Sequence, residues 1–343
     1  MAGAEAAPPY DRTHLSKAYL TGKLPLEALP LRPPDWYRDQ RIELELGVTV
    51  EAVDLDRRLA RFEDGRKLRF ERVLFATGAQ PRPFGDALVL RSLEDADRLR
   101  TVLTRSGSLS ILGAGFIGCE VAAACVELGA EVTVYERLAT PLQRVLGPEM
   151  GAWLLEVHRA HGVRMECGAG SPPDLRGPVL AAIGSAPRDE RVVDATGHLA
   201  GGVAFAAGDC ARFLSPVYGA HVRVEHFQTA QHHGFAAGRA MAGDVEPFGE
   251  VPWFWSDQFD LRLQYAGAGL PWSSIAVRGR LGEPPFTVFY LSSEGRLMAA
   301  AAVNDARTLS VARRLIEFGV SPPPDVLSDP SAPLKALARR PPL

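Results

Sequence analysis

Residues 108–120, Ser108-Leu-Ser-Ile-Leu-Gly-Ala-Gly-Phe-Ile-Gly118-Cys-Glu120, constrain the fold more than any other stretch of the chain. A short apolar run ends in a glycine turn, and an apolar helical pattern then continues to Gly129. Gly113, Gly115 and Gly118 have the dinucleotide-binding spacing. Gly113 permits the tight turn, Gly115 lets the backbone approach a pyrophosphate, and Gly118 lets the helix pack on its strand. The helix start, with Phe116 and Ile117 in its first turn, points N–H groups and a positive dipole end at the phosphates. A second strand, Glu131-Val-Thr-Val-Tyr-Glu136, ends in an acid about 20 residues on, where a ribose 2′-hydroxyl ligand belongs. Strand, turn, helix and acid together predict a dinucleotide-binding unit.

The rest of the composition narrows the class. A chain of 343 residues has room for two or three domains. Its 46% apolar and 23% charged residues suit a soluble globular protein. A net charge of −3 argues against a dedicated nucleic-acid binder. No run is long enough for a membrane span, and no signal peptide is visible, so the expected location is cytoplasmic. Cys119, Cys125, Cys167 and Cys210 form no C-x-x-C pair, which suits a reducing compartment. No metal site is expected. His158 and His161 lack acids or thiols at ligand spacing and read as solvated. The adjacent His232 and His233 read as one buried and one solvated.

Taken in order, residues 10–20 suggest a turn and a short helix, with Ser16 a candidate cap. Residues 41–75 read as strands, including a hairpin across Glu63-Asp-Gly-Arg66. An apolar strand ends at Ala76-Thr77-Gly78, and Gln80-Pro-Arg-Pro83 marks a crossover. Ser92 caps a helix over 92–103, and another is predicted over 148–161. Residues 168–177 are short, polar and rich in Pro and Gly. Residues 179–184 and 202–208 are apolar strands, the second followed by Asp209, and a helix follows residue 225. Beyond Gly249 the aromatic content rises. Residues 251–258 are aromatic-rich, and runs at 261–265, 274–277 and 286–291 suggest an antiparallel sheet with Gly295 at a turn, followed by helices at 304–318 and 333–338.

Five stretches in this order carry a resemblance: Leu15-Ser-Lys17-Ala-Tyr-Leu, Ala76-Thr-Gly78, Gly113-x-Gly-x-x-Gly118-x-Glu120, Ala207-Gly-Asp209-Cys-Ala and Trp253-Phe-Trp-Ser-Asp-Gln258. Together they resemble the flavin-dependent NADH:ferredoxin reductases of the putidaredoxin reductase type, within the pyridine nucleotide–disulfide oxidoreductase fold. The resemblance runs nearly end to end, and the Trp-Ser-Asp-Gln element is its most specific part. It implies an α/β protein with two interleaved Rossmann-like domains and an α+β C-terminal domain. The expected division is FAD domain 1–84 and 191–248, NAD domain 85–190, and C-terminal domain 249–343. FAD and NADH are the implied cofactors. The implied electron acceptor is a ferredoxin- or rubredoxin-like iron–sulfur protein feeding a Rieske-type or cytochrome oxygenase, with the reductase a monomer or homodimer.

Carried over residue by residue, the resemblance places Lys17 near the flavin edge, paired with Glu120, as the catalytic pair. Without the resemblance, Lys17 reads as an ordinary exposed lysine. Glu5 stands where the FAD ribose acid lies, Arg12 at the FAD phosphates, and Gly208 and Asp209 at the ribityl or phosphate region. Ala76, Thr77 and Gly78 pass close to the cofactors, and Trp255 borders the flavin. Gly113, Gly115, Phe116, Ile117, Gly118 and Glu136 hold NAD, with Ile183 and Gly184 near the nicotinamide. Glu136 favours NADH, while Arg137 leaves NADPH open. The absence of a cysteine pair rules out the disulfide-reductase branch.

The sequence departs from that family in two places. It lacks the family's initial strand, glycine turn and helix, so the first Rossmann-like domain is expected to be truncated, with residues 1–5 ending its second strand. The region 163–208 is also abbreviated. Loss of a central strand would leave an unpaired sheet edge. A misassigned gene start, a truncated chain and a degenerate relative all fit, and the second shortening favours divergence. The alternative function is a non-catalytic NAD(H)-binding protein that has lost FAD. Arg262, Arg278, Arg280, Arg313 and Arg314 are candidates for docking an acidic carrier, or ordinary solvated residues.

Overall fold

A computed structural model describes residues 1–168, 175, 177–199 and 202–339. The nicotinamide unit is a four-stranded parallel sheet in the order Arg164–Cys167, Glu131–Glu136, Ser108–Leu112, Val179–Ala181. Helix Phe116–Glu127 returns the chain from the glycine turn and buries most of its small side chains. Helix Leu93–Ser106 begins with a capping box: Ser92 accepts from the Asp95 amide and Asp95 accepts from the Ser92 amide. Left-handed Gly107 (φ 62°) ends it. The helix expected over 148–161 starts earlier, as Gln143–Ala160, with a break at Gly147 (φ 83°) just before Pro148. A β-carbon on Gly147 would stand 2.8 Å from the Trp272 ring, so the break also lets the C-terminal part of the chain approach. Most of residues 168–177 lies outside the described residues.

The first Rossmann-like domain is built from two parallel fragments. Ala2–Gly3 pairs with Glu45–Leu46, and Val73–Phe75 pairs with Ala204–Ala206. Among the described residues no strand joins the two fragments. The run at 45–53 is split at Gly47 (φ 68°), and only its second part, Val50–Asp54, enters the antiparallel sheet with Leu59–Phe62 and Lys67–Arg69. Asp64-Gly65 turns that hairpin as expected, with Gly65 at φ 85°. The two crossovers between domains lie side by side, because Ala79–Pro81 pairs antiparallel with Ser185–Pro187.

The C-terminal sheet has five antiparallel strands in the order Trp253–Gln258, Leu261–Gly267, Leu297–Val303, Glu283–Leu291, Ser274–Arg280. Helix Ala306–Glu317 covers one face, with the Asp305 side chain accepting from the Thr308 amide at its start. Leu297–Val303 is absent from the sequence reading. Its Leu-Met-Ala-Ala-Ala-Ala-Val run is buried on both faces, so it shows no alternation, and alanine favours helix when judged locally. The sheet Arg191–Val193, Ala211–Ser215, Ala220–Val222 and the helix Pro324–Ser328 are likewise additions.

Among the described residues, one apolar cluster links the N-terminal segment, the glycine-turn sheet and the C-terminal sheet, while strands Val73–Phe75 and Ala204–Ala206 pack in a separate one. The first joins Leu15 and Leu20 near the N-terminus, Leu99, Ile111 and Val134 of the nicotinamide unit, and Tyr265 and Tyr290 of the C-terminal sheet. That shared core fixes the relative placement of the segments that meet at the site.

Candidate functional site

The glycine turn carries three distinct constraints. Gly113 has φ 94°, and a β-carbon there would lie 2.5 Å from the Ala182 carbonyl oxygen. A β-carbon on Gly118 would lie 2.1 Å from the Gly113 carbonyl oxygen. Gly115 has nothing within 4 Å of that position, so its backbone faces open space. This is the pattern of one glycine for the turn, one for ligand approach and one for helix packing. Glu136 reaches back to the turn, one carboxylate oxygen accepting from the Ala114 amide at 2.8 Å and the other from the Leu138 amide at 2.8 Å. Ile183 lies directly against Gly113, and Ile117, Ile183 and Gly184 are exposed around the turn.

Lys17 and Glu120 meet in a largely closed environment. Lys17 Nζ is 3.0 Å from Glu120 Oε1, with side chains 16% and 5% exposed. Two serines complete the carboxylate shell: Ser16 Oγ donates to Oε2, and Ser256 Oγ donates to Oε1 at 2.6 Å. The reading of Ser16 as a helix cap is therefore corrected. Asp11 caps the short 3-10 helix Arg12–His14 through the Thr13 amide, while Ser16 is buried against Glu120. The local pattern could not reveal this, because the partner lies 104 residues away.

A second line of charged groups runs along the first domain. Tyr10 Oη donates to Glu5, Arg12 pairs with Glu5, and Arg12 Nη1 donates to the Arg91 carbonyl oxygen at 2.8 Å. Arg91 Nη2 donates to Asp209 Oδ2 at 2.8 Å. Burial works against ionising Glu5, but Arg12 and Tyr10 outweigh it and hold its carboxyl below the ordinary value. Burial pushes Asp209 above its ordinary value, with Arg91 opposing. Gly78 (φ 67°) belongs to this cluster, since a β-carbon there would come within 3.3 Å of Arg91 Nη2. Gly208 (φ 76°) turns the chain into Asp209, and its amide donates to His233 Nδ1 at 3.4 Å. Ala76 and Thr77 are exposed beside Gly78. Arg91 escaped the sequence reading because it precedes a helix cap and looks like a solvated first-turn neighbour.

Aromatic groups close the other side. The rings of Phe116 and Phe254 meet edge to face at 4.6 Å, and His226 tilts against Phe254 at 4.4 Å. Burial lowers the His226 imidazole to about 3, and its Nδ1 has no hydrogen-bond partner. Trp255 is half-buried, its ring 5.9 Å from that of Trp253.

His158 is not solvated: it is fully buried, and its Nε2 meets Gln258 Oε1 at 2.9 Å. His161 is exposed and stacks on Phe259 at 3.8 Å. His232 is half-buried and pairs with Glu250, whereas His233 is buried against Phe213 and Phe248. All four cysteines are free thiols, and burial raises Cys125 to about 12. Among the described residues no group of three or more metal-type ligands occurs, and no helix is long and apolar enough to cross a membrane.

The candidate docking arginines separate into different kinds. Arg278 clamps the C-terminal segment, donating to the carbonyl oxygens of Asp329, Pro330 and Ala332 at 2.6, 2.8 and 2.9 Å. Arg280 pairs with Glu283, and Arg313 lies over the Trp253 ring at 5.0 Å. Arg262 and Arg314 are exposed.

Residues 1–172 match the family described as pyridine nucleotide-disulphide oxidoreductase, and residues 253–338 match that described as reductase C-terminal. The chain is 38% identical to the anthranilate 1,2-dioxygenase system ferredoxin–NAD(+) reductase component of Burkholderia cepacia, over 98% of this chain and 91% of that protein. It is 33% identical to putidaredoxin reductase of Pseudomonas putida, over 96% of this chain and 88% of that protein. Among solved structures, the covalent putidaredoxin reductase–putidaredoxin complex superposes with TM-score 0.91 at 32% identity, covering 98% of this chain and 90% of that one. The ferredoxin reductase for the CYP199A2 system of Rhodopseudomonas palustris superposes with TM-score 0.92 at 28% identity, covering 98% and 92%.

Proposed function

Because this chain belongs to the pyridine nucleotide–disulphide oxidoreductase family, we propose that it takes electrons from NADH and passes them to a ferredoxin- or rubredoxin-like iron–sulfur protein. FAD is the cofactor between them: when bound, it accepts hydride from the nicotinamide and releases electrons singly. The observation that carries this reading is the Lys17–Glu120 pair, held at 3.0 Å in a closed site beside the glycine turn.

The residues present fit a flavin dinucleotide along its length. Glu5 suits a ribose, Arg12 and Arg91 suit the diphosphate, and Asp209 suits the ribityl chain. These four already touch in series. His226 Nδ1, buried and without a protein partner, suits a polar edge of the ring system. Among the described residues the diphosphate cradle on this side rests on arginines, whereas the nicotinamide side has its glycine turn.

Lys17 places a cation where charge develops on the reduced ring, and Glu120 holds that cation in place. Gly115 opens the backbone to the NADH pyrophosphate, and Glu136, at the end of its strand, suits an unphosphorylated ribose and so favours NADH. Ile117, Ile183 and Trp255 supply apolar surface that keeps water from the transferring hydride. The carrier feeds a Rieske-type or cytochrome oxygenase in the cytoplasm, with Arg262 and Arg314 meeting an acidic face. The non-catalytic alternative is disfavoured, because binding NADH alone gives no use for a lysine–glutamate pair held between the N-terminal segment and the glycine-turn helix.

A visible spectrum of purified protein, with and without added FAD, tests the proposal. Flavin absorbance that NADH bleaches is expected. A protein that stays colourless with FAD and does not oxidise NADH overturns it.

A further inference from the structure

Strand Trp253–Gln258 lies against helix Phe116–Glu127 with matched repeats. Two strand residues advance about 6.6 Å and four helical residues about 6 Å. Phe116 therefore faces Phe254, and Glu120 faces Ser256. The next residue on the same strand face is Gln258, which is 1% exposed. Gln258 Nε2 donates to Ser256 Oγ at 3.0 Å, and Gln258 Oε1 meets His158 Nε2 at 2.9 Å.

The direction of this chain follows from its ends. Ser256 gives its one proton to Glu120, so its oxygen accepts from the Gln258 amide. The Gln258 carbonyl then faces the imidazole, so His158 Nε2 carries the proton and Nδ1 is bare. His158 Nδ1 indeed has no hydrogen-bond partner, and burial holds the ring below its ordinary value despite the opposing Gln258 bond. The ring is wedged edge-on against Phe259, at 5.1 Å.

We infer that His158, Gln258 and Ser256 are positioning residues for Glu120, forming a one-way series of donors that fixes the carboxylate and thereby Lys17. This assignment rests on the reductase reading. The series is not a proton path, because passing a proton through Gln258 would convert its amide to an imidic acid. It acts by orientation and charge. Glu120 receives Ser256 and Lys17 on one oxygen and Ser16 on the other, so removing a donor loosens the carboxylate and the cation it holds.

The test compares Ser256→Ala, His158→Leu and His158→Gln, the last keeping an N–H donor where Nε2 stands. FAD content, thermal midpoint, single-turnover bleaching by NADH, KM for NADH and the midpoint potential of bound flavin are measured. Ser256→Ala and His158→Leu are expected to slow bleaching about tenfold, with KM changed less than about twofold. Their flavin potential falls, because a looser Lys17 stabilises the reduced ring less. His158→Gln restores most of both. Folded, FAD-loaded Ser256→Ala and His158→Leu with unchanged rate and potential overturn the inference, and so does equal loss in both His158 variants. Should His158→Leu not fold, Ser256→Ala decides. A 15N spectrum of wild-type protein without cofactor gives a separate reading, since an unprotonated Nε2 on His158 breaks the series whatever the flavin does. Failure of the reductase reading itself would show earlier, as unmodified protein that takes up no FAD.

Discussion

Arg91 Nη2 donates to Asp209 Oδ2 at 2.8 Å across 118 residues of chain, tying the start of helix Leu93–Ser106 to the Gly208–Asp209 turn. Arg91→Leu leaves a carboxyl that burial already disfavours in its charged form. The expected loss is about 1–3 kcal/mol, below the value for a fully buried pair because Arg91 is 37% exposed. A carboxyl raised in the fold favours the folded state below its unfolded value and loses that contribution as pH rises. The deficit should therefore be larger at neutral pH than in mild acid. Urea titrations at both pH values check this, and FAD occupancy should fall in the same variant.

The three glycines separate ligand approach from packing. Gly118→Ala forces a β-carbon onto the Gly113 carbonyl, which should cost about 1–3 kcal/mol of stability. Gly115→Ala meets no protein atom within 4 Å, so its thermal midpoint should stay near that of the parent. Its KM for NADH should rise about tenfold or more, the size of one lost contact to a phosphate. Melting curves and steady-state kinetics on both variants distinguish the two effects.

Lys17→Met keeps a similar volume and removes the cation. Bleaching of bound flavin by NADH should slow about a hundredfold, as when one preorganised charge is lost from a reacting site. Glu120→Gln should give a smaller loss, since Lys17 stays while its anchor weakens. Stopped-flow absorbance at saturating NADH measures both.

The sequence exposed what is local or periodic and concealed what is distant. The glycine turn, the Ser92 cap and the Asp64-Gly65 hairpin each lie within a few residues, and each was readable. Lys17 and Glu120 became visible only through resemblance, since neither stands out by pattern. Ser16, Arg91 and His158 were missed or misread because their partners are 104, 118 and 100 residues away. A polar residue whose partner is that remote looks solvated until the fold is known. Arg278 resembled a docking residue for the same reason, yet it holds the C-terminal segment.

Depressed imidazoles predict an acid limit, His158 among them. Burial lowers His226 to about 3 and His233 to about 4, below the ordinary histidine value. A depressed group leaves stability intact above its unfolded value and removes it as pH falls toward the folded one. Stability should therefore decline from about pH 6.5 down to about pH 4, by about 1.4 kcal/mol per pH unit for each such histidine. Guanidinium titrations at stepped pH should show this slope, and His233→Gln should flatten part of it.

Docking through Arg262 and Arg314 predicts salt sensitivity. Raising ionic strength should slow reduction of an acidic iron–sulfur carrier while leaving NADH bleaching nearly constant. Arg278→Ala should lower the thermal midpoint without changing that salt response. Carrier reduction followed over a salt series checks both.

Ser256 lies 136 residues beyond Glu120, and their hydrogen bond forms only when the last sheet folds back onto the glycine-turn helix. During translation, a chain still lacking that sheet can own the nucleotide turn and the lysine without owning their supporting lattice. The carboxylate shell that holds Lys17 therefore closes only after residue 256 has joined the fold.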